Sequence, residues 1–213
     1  MSAPGNPDPV DTHAVPVSAP DWPGLLRQGT GPIQAEFSRL VEQTSHYHGF
    51  SPDLVWGNLQ TRVYAREVLR LVADLHDIPR DIDAGAAERV ARAQYYLGQG
   101  GRTYHVLLGE QALLTGIGGP AVMRPQLAHL LEAMDLPGLT LGVIPARARL
   151  LVYPGDGFGI FDGARVEVEG YRGGETITDD RVQIFRRAFD RLKQSAVYFD
   201  DARAIISTAL QNT

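Results

Sequence analysis

The sequence predicts an α+β fold, with N-terminal helices, a mainly antiparallel sheet that contains an inserted helix, and C-terminal helices. Two observations lead to this prediction. Apolar residues recur at helical spacing toward both ends of the chain, whereas the middle contains short β-rich runs bounded by glycine, proline and aspartate. No repeat of about 20 to 50 residues occurs in the sequence, so a solenoid is excluded.

We expect a flexible, proline-rich tail over residues 1–30 and a single domain over residues 31–213. Six of the 14 prolines lie in the first 30 residues, where Trp22 is the one aromatic residue. Such a composition buries too little apolar surface to offset the entropy lost on ordering.

The helices are predicted from apolar stripes and from capping residues. Thr61 is the expected N-cap of one helix, and Thr178 is the expected cap of another. The predicted helical segments are 33–49, 61–79, 85–97, a single turn at 110–114, 125–134, 178–196 and 200–210. The last long helix carries Phe185 and Phe189, which suit either the core or a homodimer interface.

The strands are predicted where short β-rich runs are bounded by turn residues. They are 104–108, 139–144, 150–153, 158–161 and 165–171. The last four follow one another closely, which indicates an antiparallel meander.

The composition excludes several classes of function. The chain has 213 residues and no cysteine, which removes disulfides, thiol nucleophiles and thiolate metal sites. A formal net charge of −5 gives no overall attraction to nucleic acid. Neither a long apolar run nor a signal-peptide pattern occurs, so we expect a cytoplasmic protein without a membrane span.

The histidines do not predict a metal site. His46 and His48 lie two residues apart, so on a helix their side chains point in different directions. No third ligand follows at the usual spacing. We expect neither a metal nor another cofactor.

Three glutamates are the candidate catalytic residues. Glu110 closes a predicted strand, whereas Glu167 and Glu169 lie two apart on one strand and therefore share a face. Two such carboxylates could shift each other's pKa and serve acid–base chemistry. The favoured alternative is a solvated strand face, with Val166 and Val168 directed inward.

A group of arginines offers an anion-binding alternative. Arg89 and Arg92 lie three apart on a predicted helix, and Arg102 precedes the first predicted strand. Guanidinium groups could bind an anionic ligand or simply pair with the glutamates, and the pairing is the default expectation. Tyr104 belongs to an aromatic group around the predicted sheet that suits the core, a flat ligand or a partner protein.

Five stretches resemble the C-terminal domain that follows helix-turn-helix modules in actinobacterial XRE-type regulators, known as DUF5753 or the Scr1-type antitoxin-like domain. The middle stretch, "LLGEQALLTGIGGPAVMRPQLAHLLEAMDLPGLTLGVIP", is the most specific one. The stretches cover residues 58–69, 88–94, 107–145, 156–170 and 185–206.

The resemblance implies a regulatory domain that senses a small molecule or binds a small regulatory protein. The matched motif positions are Gln60, Thr61, Tyr64, Arg89, Arg92, Glu110, Met123, Gln126, Leu127 and Glu169. The ligand-binding candidates are Gln60, Thr61, Tyr64, Arg89, Arg92, Arg102, Tyr104 and Gln126. Residues 55–59 depart from the family's Pro-Gly-Leu-Leu pattern, so the surface formed there is expected to differ.

Members of this family carry a helix-turn-helix, which a proline-rich segment of 30 residues does not supply, so we expect no direct binding to nucleic acid. The alternative function is a stand-alone enzyme acting on an anionic or nucleotide-like substrate. An NAD-using site similar to that of ADP-ribosyltransferases would combine Glu167 and Glu169 with an arginine. The absence of a Ser-Thr-Ser strand counts against it.

Overall fold

The computed structural model describes residues 20–79, 81–98, 101–171 and 173–213, and over these residues it confirms the α+β fold. The helices are α1 (Trp22–Gln28), α2 (Thr30–Glu42), α3 (Arg62–His76), α4 (Ile82–Tyr96), α5 (Gln111–Leu114), α6 (Pro120–Ala133), α7 (Val182–Lys193) and α8 (Phe199–Asn212). The strands are β1 (His46–Ser51), β2 (Thr103–Gly109), β3 (Leu139–Ile144), β4 (Phe158–Phe161), β5 (Arg165–Gly170) and β6 (Gly173–Ile177). Of these helices, none has the length and apolar character needed to cross a membrane.

The six strands form one mixed sheet in the order β3-β2-β1-β4-β5-β6. The pairings β1–β2 and β2–β3 are parallel, because helical crossovers return the chain in the same direction. The other three pairings are antiparallel, and one of them, β4–β5, joins two predicted strands. Strand β3, which was predicted to belong to the antiparallel meander, pairs in parallel with β2 instead. Strand β1 therefore lies between the parallel and antiparallel halves of the sheet.

Each face of the sheet is covered by helices. The larger apolar core joins one face to α2, α3, α6 and α8 and includes Tyr64, Leu127 and Ile206. The smaller core joins the opposite face to α7 through Phe189, which is 2% exposed. The apolar stripe of α7 thus packs within the protein.

The structure corrects several predicted elements. The helix expected over 33–49 ends at Glu42, and residues 46–51 form β1 instead. Residues 150–153 do not form a strand, whereas β6 was not predicted because its sequence, GGETI, has little apolar pattern. Helix α7 begins at Val182, so Thr178 is not its cap.

The predicted tail is also corrected in part. Residues 1–19 lie outside the described residues, but residues 22–28 form α1. Asp21 caps this helix by accepting a 3.0 Å hydrogen bond from the Gly24 N–H, and Trp22 is only 4% exposed. The expectation of a flexible segment up to residue 30 is wrong for this helix.

Helices α2 and α4 are fastened together at their N-terminal ends. Asp81, which precedes α4, accepts 2.7 Å hydrogen bonds from the N–H and hydroxyl of Thr30 and from the N–H of Gly31. One carboxylate thus satisfies the first N–H groups of a neighbouring helix. This contact brings Gln34 of α2 beside Arg89 and Arg92 of α4.

Candidate functional site

The loop from β1 to α3 forms one wall of the candidate site. It passes close over the end of β2 at Gly109, where a Cβ would lie 2.2 Å from the carbonyl oxygen of Pro52. Thr61 then caps α3, as predicted, by accepting a hydrogen bond from the Tyr64 N–H. The absence of a side chain at Gly109 lets the loop pack directly on the sheet.

Internal hydrogen bonds hold this loop in place. The amide of Gln126 accepts from the Thr61 N–H and donates to the Leu59 carbonyl, both at 2.7 Å. The Tyr64 hydroxyl accepts from the Val55 N–H at 3.3 Å. Gln126 and Tyr64 are fully buried, so the structure places these two ligand-binding candidates behind the loop as supports.

Two arginines of α4 meet three neutral amides beside this loop. Arg89 donates from Nε to Gln34 Oε1 at 3.1 Å and from Nη1 to Gln60 Oε1 at 2.6 Å. Arg92 donates to Asn58 Oδ1 at 2.9 Å and to both the carbonyl and the Oε1 of Gln34. We call these five residues, Gln34, Asn58, Gln60, Arg89 and Arg92, the arginine cluster.

The arginine cluster contains no carboxylate. Over the described ranges neither Arg89 nor Arg92 forms an ion pair, so the expected pairing with glutamates is wrong. Arg92 is 6% exposed, and its burial, followed by the adjacent Arg89 cation, lowers its pKa to about 9. Burial also lowers the pKa of Arg89, which is only partly buried by surface area. The cluster therefore holds concentrated positive charge without a counter-ion.

One nitrogen of Arg89 remains available. Its Nε and Nη1 are bound to amides, whereas Nη2 donates to none of the described residues and retains access to solvent. Arg92, by contrast, uses all three of its nitrogens. Arg92 is thus held as a support, and Arg89 presents a free edge of its guanidinium group.

Aromatic rings lie between α4 and the antiparallel half of the sheet. Tyr47 stacks on Trp56 with ring centroids 4.9 Å apart, and Trp22 stacks on Phe37 at the same distance. The Arg92 guanidinium lies 5.9 Å from the centre of the Phe37 ring. Burial, and next the carboxylate of Glu169, raise the pKa of the Tyr47 phenol.

The three candidate glutamates are not brought together. Glu110 accepts from the Ala146 N–H at 2.7 Å and follows β2, which is separated from β5 by two strands, or about 14 Å. Glu167 is 4% exposed and accepts from Arg165 Nε at 2.6 Å and from Thr176. Glu169 is exposed on the same face of β5. The prediction of a solvent-exposed strand face with inward-directed valines is thus only partly correct. Glu169 is exposed and Val166 is buried, but Glu167 is buried as well.

The remaining sequence candidates lie outside the arginine cluster. Arg102 donates to the carbonyls of Thr44 and Glu42 near the end of α2. Tyr104 is buried in the larger core, as are Met123 and Leu127.

Three of the histidines, His46, His48 and His105, lie on strands. His46 and His48 share one face of β1, because that segment is not helical. His48 stacks on Phe189, and the Nε2 of His105 lies 3.1 Å from the Tyr198 hydroxyl. Throughout the described part of the chain, no three His, Asp or Glu side chains form a group that could hold a metal.

Sequence reasoning missed two members of the cluster, Gln34 and Asn58. Both are nearly fully buried, at 2% and 5% exposure. A weak signal existed for Gln34, which is a polar residue beside the apolar positions Ile33 and Phe37 of the predicted helix. Asn58 lies in a loop, where nothing in the sequence distinguishes a buried amide from an exposed one.

A family model described as "Domain of unknown function (DUF5753)" matches residues 34–208, a span that begins with Gln34 and includes the whole arginine cluster. No curated protein matches the sequence. Because the family model covers most of its length, the chain belongs to the DUF5753 family.

Proposed function

We propose that this protein is a regulatory ligand-sensing domain in which the arginine cluster binds the anionic group of a small molecule. The observation that carries the proposal is the free Nη2 of Arg89 beside the buried, unpaired cation of Arg92. Burying positive charge without a counter-ion costs free energy, and a bound anion would recover part of it.

The partners of Arg89 are neutral amides, which favours the binding of an anionic ligand. Gln34 and Gln60 fix two nitrogens of Arg89, so little side-chain entropy remains to be lost on binding. An arginine with a free edge suits carboxylate or phosphate oxygens, which accept strong charge-assisted hydrogen bonds.

The same geometry favours sensing over catalysis. Glu167 is already bound to three internal donors, and Glu110 follows β2, which two strands separate from β5. Gln34 accepts from both arginines, so a shift of Arg89 on binding would be transmitted to α2. A regulatory role also agrees with the resemblance to the C-terminal domains of XRE-type regulators. Binding of a regulatory protein at this site is the alternative outcome.

The test is titration calorimetry with phosphate, acetate and glutarate at constant ionic strength. Arg89→Gln removes the charge, and Arg89→Lys keeps the charge without the planar fork. Arg66→Gln is the matched control, because Arg66 pairs with Asp83 on the exposed surface. We expect saturable binding of at least one anion, weakened about tenfold or more by Arg89→Gln and unchanged by Arg66→Gln.

Two results would overturn the proposal. One is the absence of saturable binding for every anion in the series. The other is equal affinity in the wild type and in a folded Arg89→Gln variant, with folding checked by circular dichroism.

A further inference from the structure

The loop between β3 and β4 carries an apolar run that the fold does not bury. The sequence predicts a strand over residues 150–153, Leu-Leu-Val-Tyr, but this segment pairs with none of the six described strands. Leu150 is 37% exposed, Leu151 is 47% exposed and Tyr153 is 83% exposed. Large apolar side chains that stand together in water mark a contact surface.

The loop is held against the protein at three points. The N–H of Ala146 donates to a carboxylate oxygen of Glu110 at 2.7 Å. The hydroxyl of Ser195, just after α7, donates to the Arg149 carbonyl at 3.1 Å. Val152 packs against the smaller core, whereas the residues on either side of it are exposed. The fold thus fixes the loop and leaves its remaining apolar side chains in solvent.

Arginines without an ion pair border the apolar run. Arg147 and Arg149 precede it in the loop, and both are exposed. Arg187 and Arg191 are exposed on α7, about two turns and one turn before Ser195, which contacts the loop. None of the four forms an ion pair with a residue that the structure describes. We call Leu150, Leu151, Tyr153 and these four arginines the loop surface.

The positive charge of the loop surface is local. The chain as a whole has a formal net charge of −5, whereas residues 145–157 contain two arginines and one carboxylate, Asp156. Val152 and α7 both pack on the smaller core, so the loop surface lies on the opposite side of the sheet from the arginine cluster. It is therefore a separate site, and it does not depend on the proposed function.

We propose that the loop surface docks on a membrane that contains anionic lipids. The leucines and the tyrosine enter the boundary between headgroups and acyl chains, and the arginines beside them contact lipid phosphates. The overall charge of −5 opposes approach to such a membrane in other orientations, so the local positive charge also orients the protein.

Other anionic partners fit the loop surface less well. A nucleic acid offers phosphates but leaves the exposed leucines in water. An acidic protein could offer both carboxylates and apolar contacts, but the anchoring side chains of protein interfaces fill shaped pockets on the partner. Tyr153 projects with most of its surface exposed, and a fluid lipid phase closes around such a side chain without a matching shape.

The test is co-sedimentation of the full chain with lipid vesicles. One set contains phosphatidylcholine alone, and the other contains equal parts of phosphatidylcholine and phosphatidylglycerol. We expect binding to the anionic vesicles to be about tenfold or more stronger than binding to the neutral ones, and to weaken as salt is added.

Two double variants separate the apolar and the electrostatic contributions. Leu151→Ser with Tyr153→Ser removes two apolar side chains and keeps the charge. Arg147→Gln with Arg149→Gln removes two positive charges and keeps the apolar run. Each should weaken binding to the anionic vesicles about tenfold or more. Circular dichroism checks that the variants are folded.

Matched controls carry the same types of change on the opposite side of the sheet. Leu71→Ser with Leu75→Ser alters two exposed leucines of α3. Arg39→Gln with Arg66→Gln removes two exposed arginines from α2 and α3. Both controls should bind the anionic vesicles as the wild type does.

Several results would overturn the proposal. These are the absence of binding to anionic vesicles, equal binding to neutral and anionic vesicles, and undiminished binding in the folded loop variants. Binding of duplex DNA or of polyglutamate through the same residues, without vesicle binding, would identify a different partner and would also overturn it. Anion binding at Arg89 is measured separately, so either proposal can fail without the other.

Discussion

The indole N–H of Trp22 donates a 3.0 Å hydrogen bond to Oε2 of Glu167, which lies 145 residues later in the chain. The same nitrogen also lies 3.0 Å from the Thr176 hydroxyl oxygen. The indole N–H thereby links α1 to both β5 and β6. A carboxylate that sequence reasoning proposed for catalysis is instead an acceptor in the interior.

Replacing Trp22 with phenylalanine should show how much this contact stabilises the protein. The variant keeps an aromatic ring for Phe37 but removes the donor, leaving the buried Glu167 with fewer hydrogen bonds. We expect the free energy of unfolding to fall by about 1–3 kcal/mol in urea denaturation. Tyr171→Phe, at a residue 87% exposed, is the control and should change it by less than about 0.5 kcal/mol. Equal stability of both variants would contradict the assignment.

Asp81 should stabilise α2 from outside that helix. Asp81→Ala removes the acceptor of three hydrogen bonds and should lower the free energy of unfolding by about 1–3 kcal/mol. Asp83→Ala breaks only the exposed pair with Arg66 and should cost less than about 1 kcal/mol. Urea denaturation of both variants measures the difference.

The Asp81 contribution should also depend on pH. Burial raises the pKa of this carboxyl, but the hydrogen bonds from Thr30 and Gly31 outweigh burial and lower the pKa below 3.8. A carboxyl whose pKa is depressed by folding stabilises the protein at pH values above its pKa in the unfolded chain. That stabilisation is lost as the pH falls through its pKa in the folded protein. The difference between wild type and Asp81→Ala should therefore shrink below about pH 4. A constant difference down to pH 2 would contradict this explanation.

Gly109→Ala should be strongly destabilising. Its methyl group would lie 2.2 Å from the Pro52 carbonyl oxygen, so either the loop or β2 must shift. We expect a loss of about 2 kcal/mol or more in thermal or urea unfolding. Gly116→Ala is the matched control, because a Cβ there meets no atom within 4 Å. Similar stability of the two variants would contradict this prediction, because it would show that the loop can move at little cost in free energy.

His105 should make the protein less stable in mild acid. Its burial, followed by the nearby His48 and Lys193, lowers its pKa to about 4, against 6.5 for the free side chain. The unfolded chain therefore binds the proton more readily, and stability falls as the pH drops from 6.5 toward 4. Because the ring is only half buried, we expect a loss of about 1 kcal/mol.

Urea denaturation between pH 7 and pH 4.5 measures this dependence. His105→Gln should reduce the slope of the profile, and His48, whose pKa burial also lowers, should supply part of the slope that remains. His129→Gln, on α6, should leave the profile unchanged. A wild-type profile that stays flat over this range would contradict the assignment to His105.

Local signals predicted the elements that are determined locally. The Thr61 cap and strands β3, β4 and β5 depend on nearby residues and were found. Strand β1 was not found, because Thr44 and Tyr47 continue the helical spacing of α2. Its strand conformation comes from pairing with β2 and β4, which sequence spacing does not encode.

The candidate site, too, was predicted in part from local signals. Arg89 and Arg92 were identified from their spacing of three on one helix. Two of their three partners were not, because Asn58 and Gln34 lie 34 and 58 residues from Arg92 and are uncharged. Charge complementarity suggested glutamates, whereas the fold supplies amides.

The central position of β1 has a consequence for how the chain folds during synthesis. His46 bonds to Thr103, 57 residues later, and its N–H donates to Asp162, 116 residues later. Until those residues emerge from the ribosome, β1 has two open edges and an aromatic surface, which is the condition that favours aggregation. Strand β1 should therefore gain both neighbours only after β4 has been synthesised, and fragments ending before β4 should depend on chaperones to remain in solution.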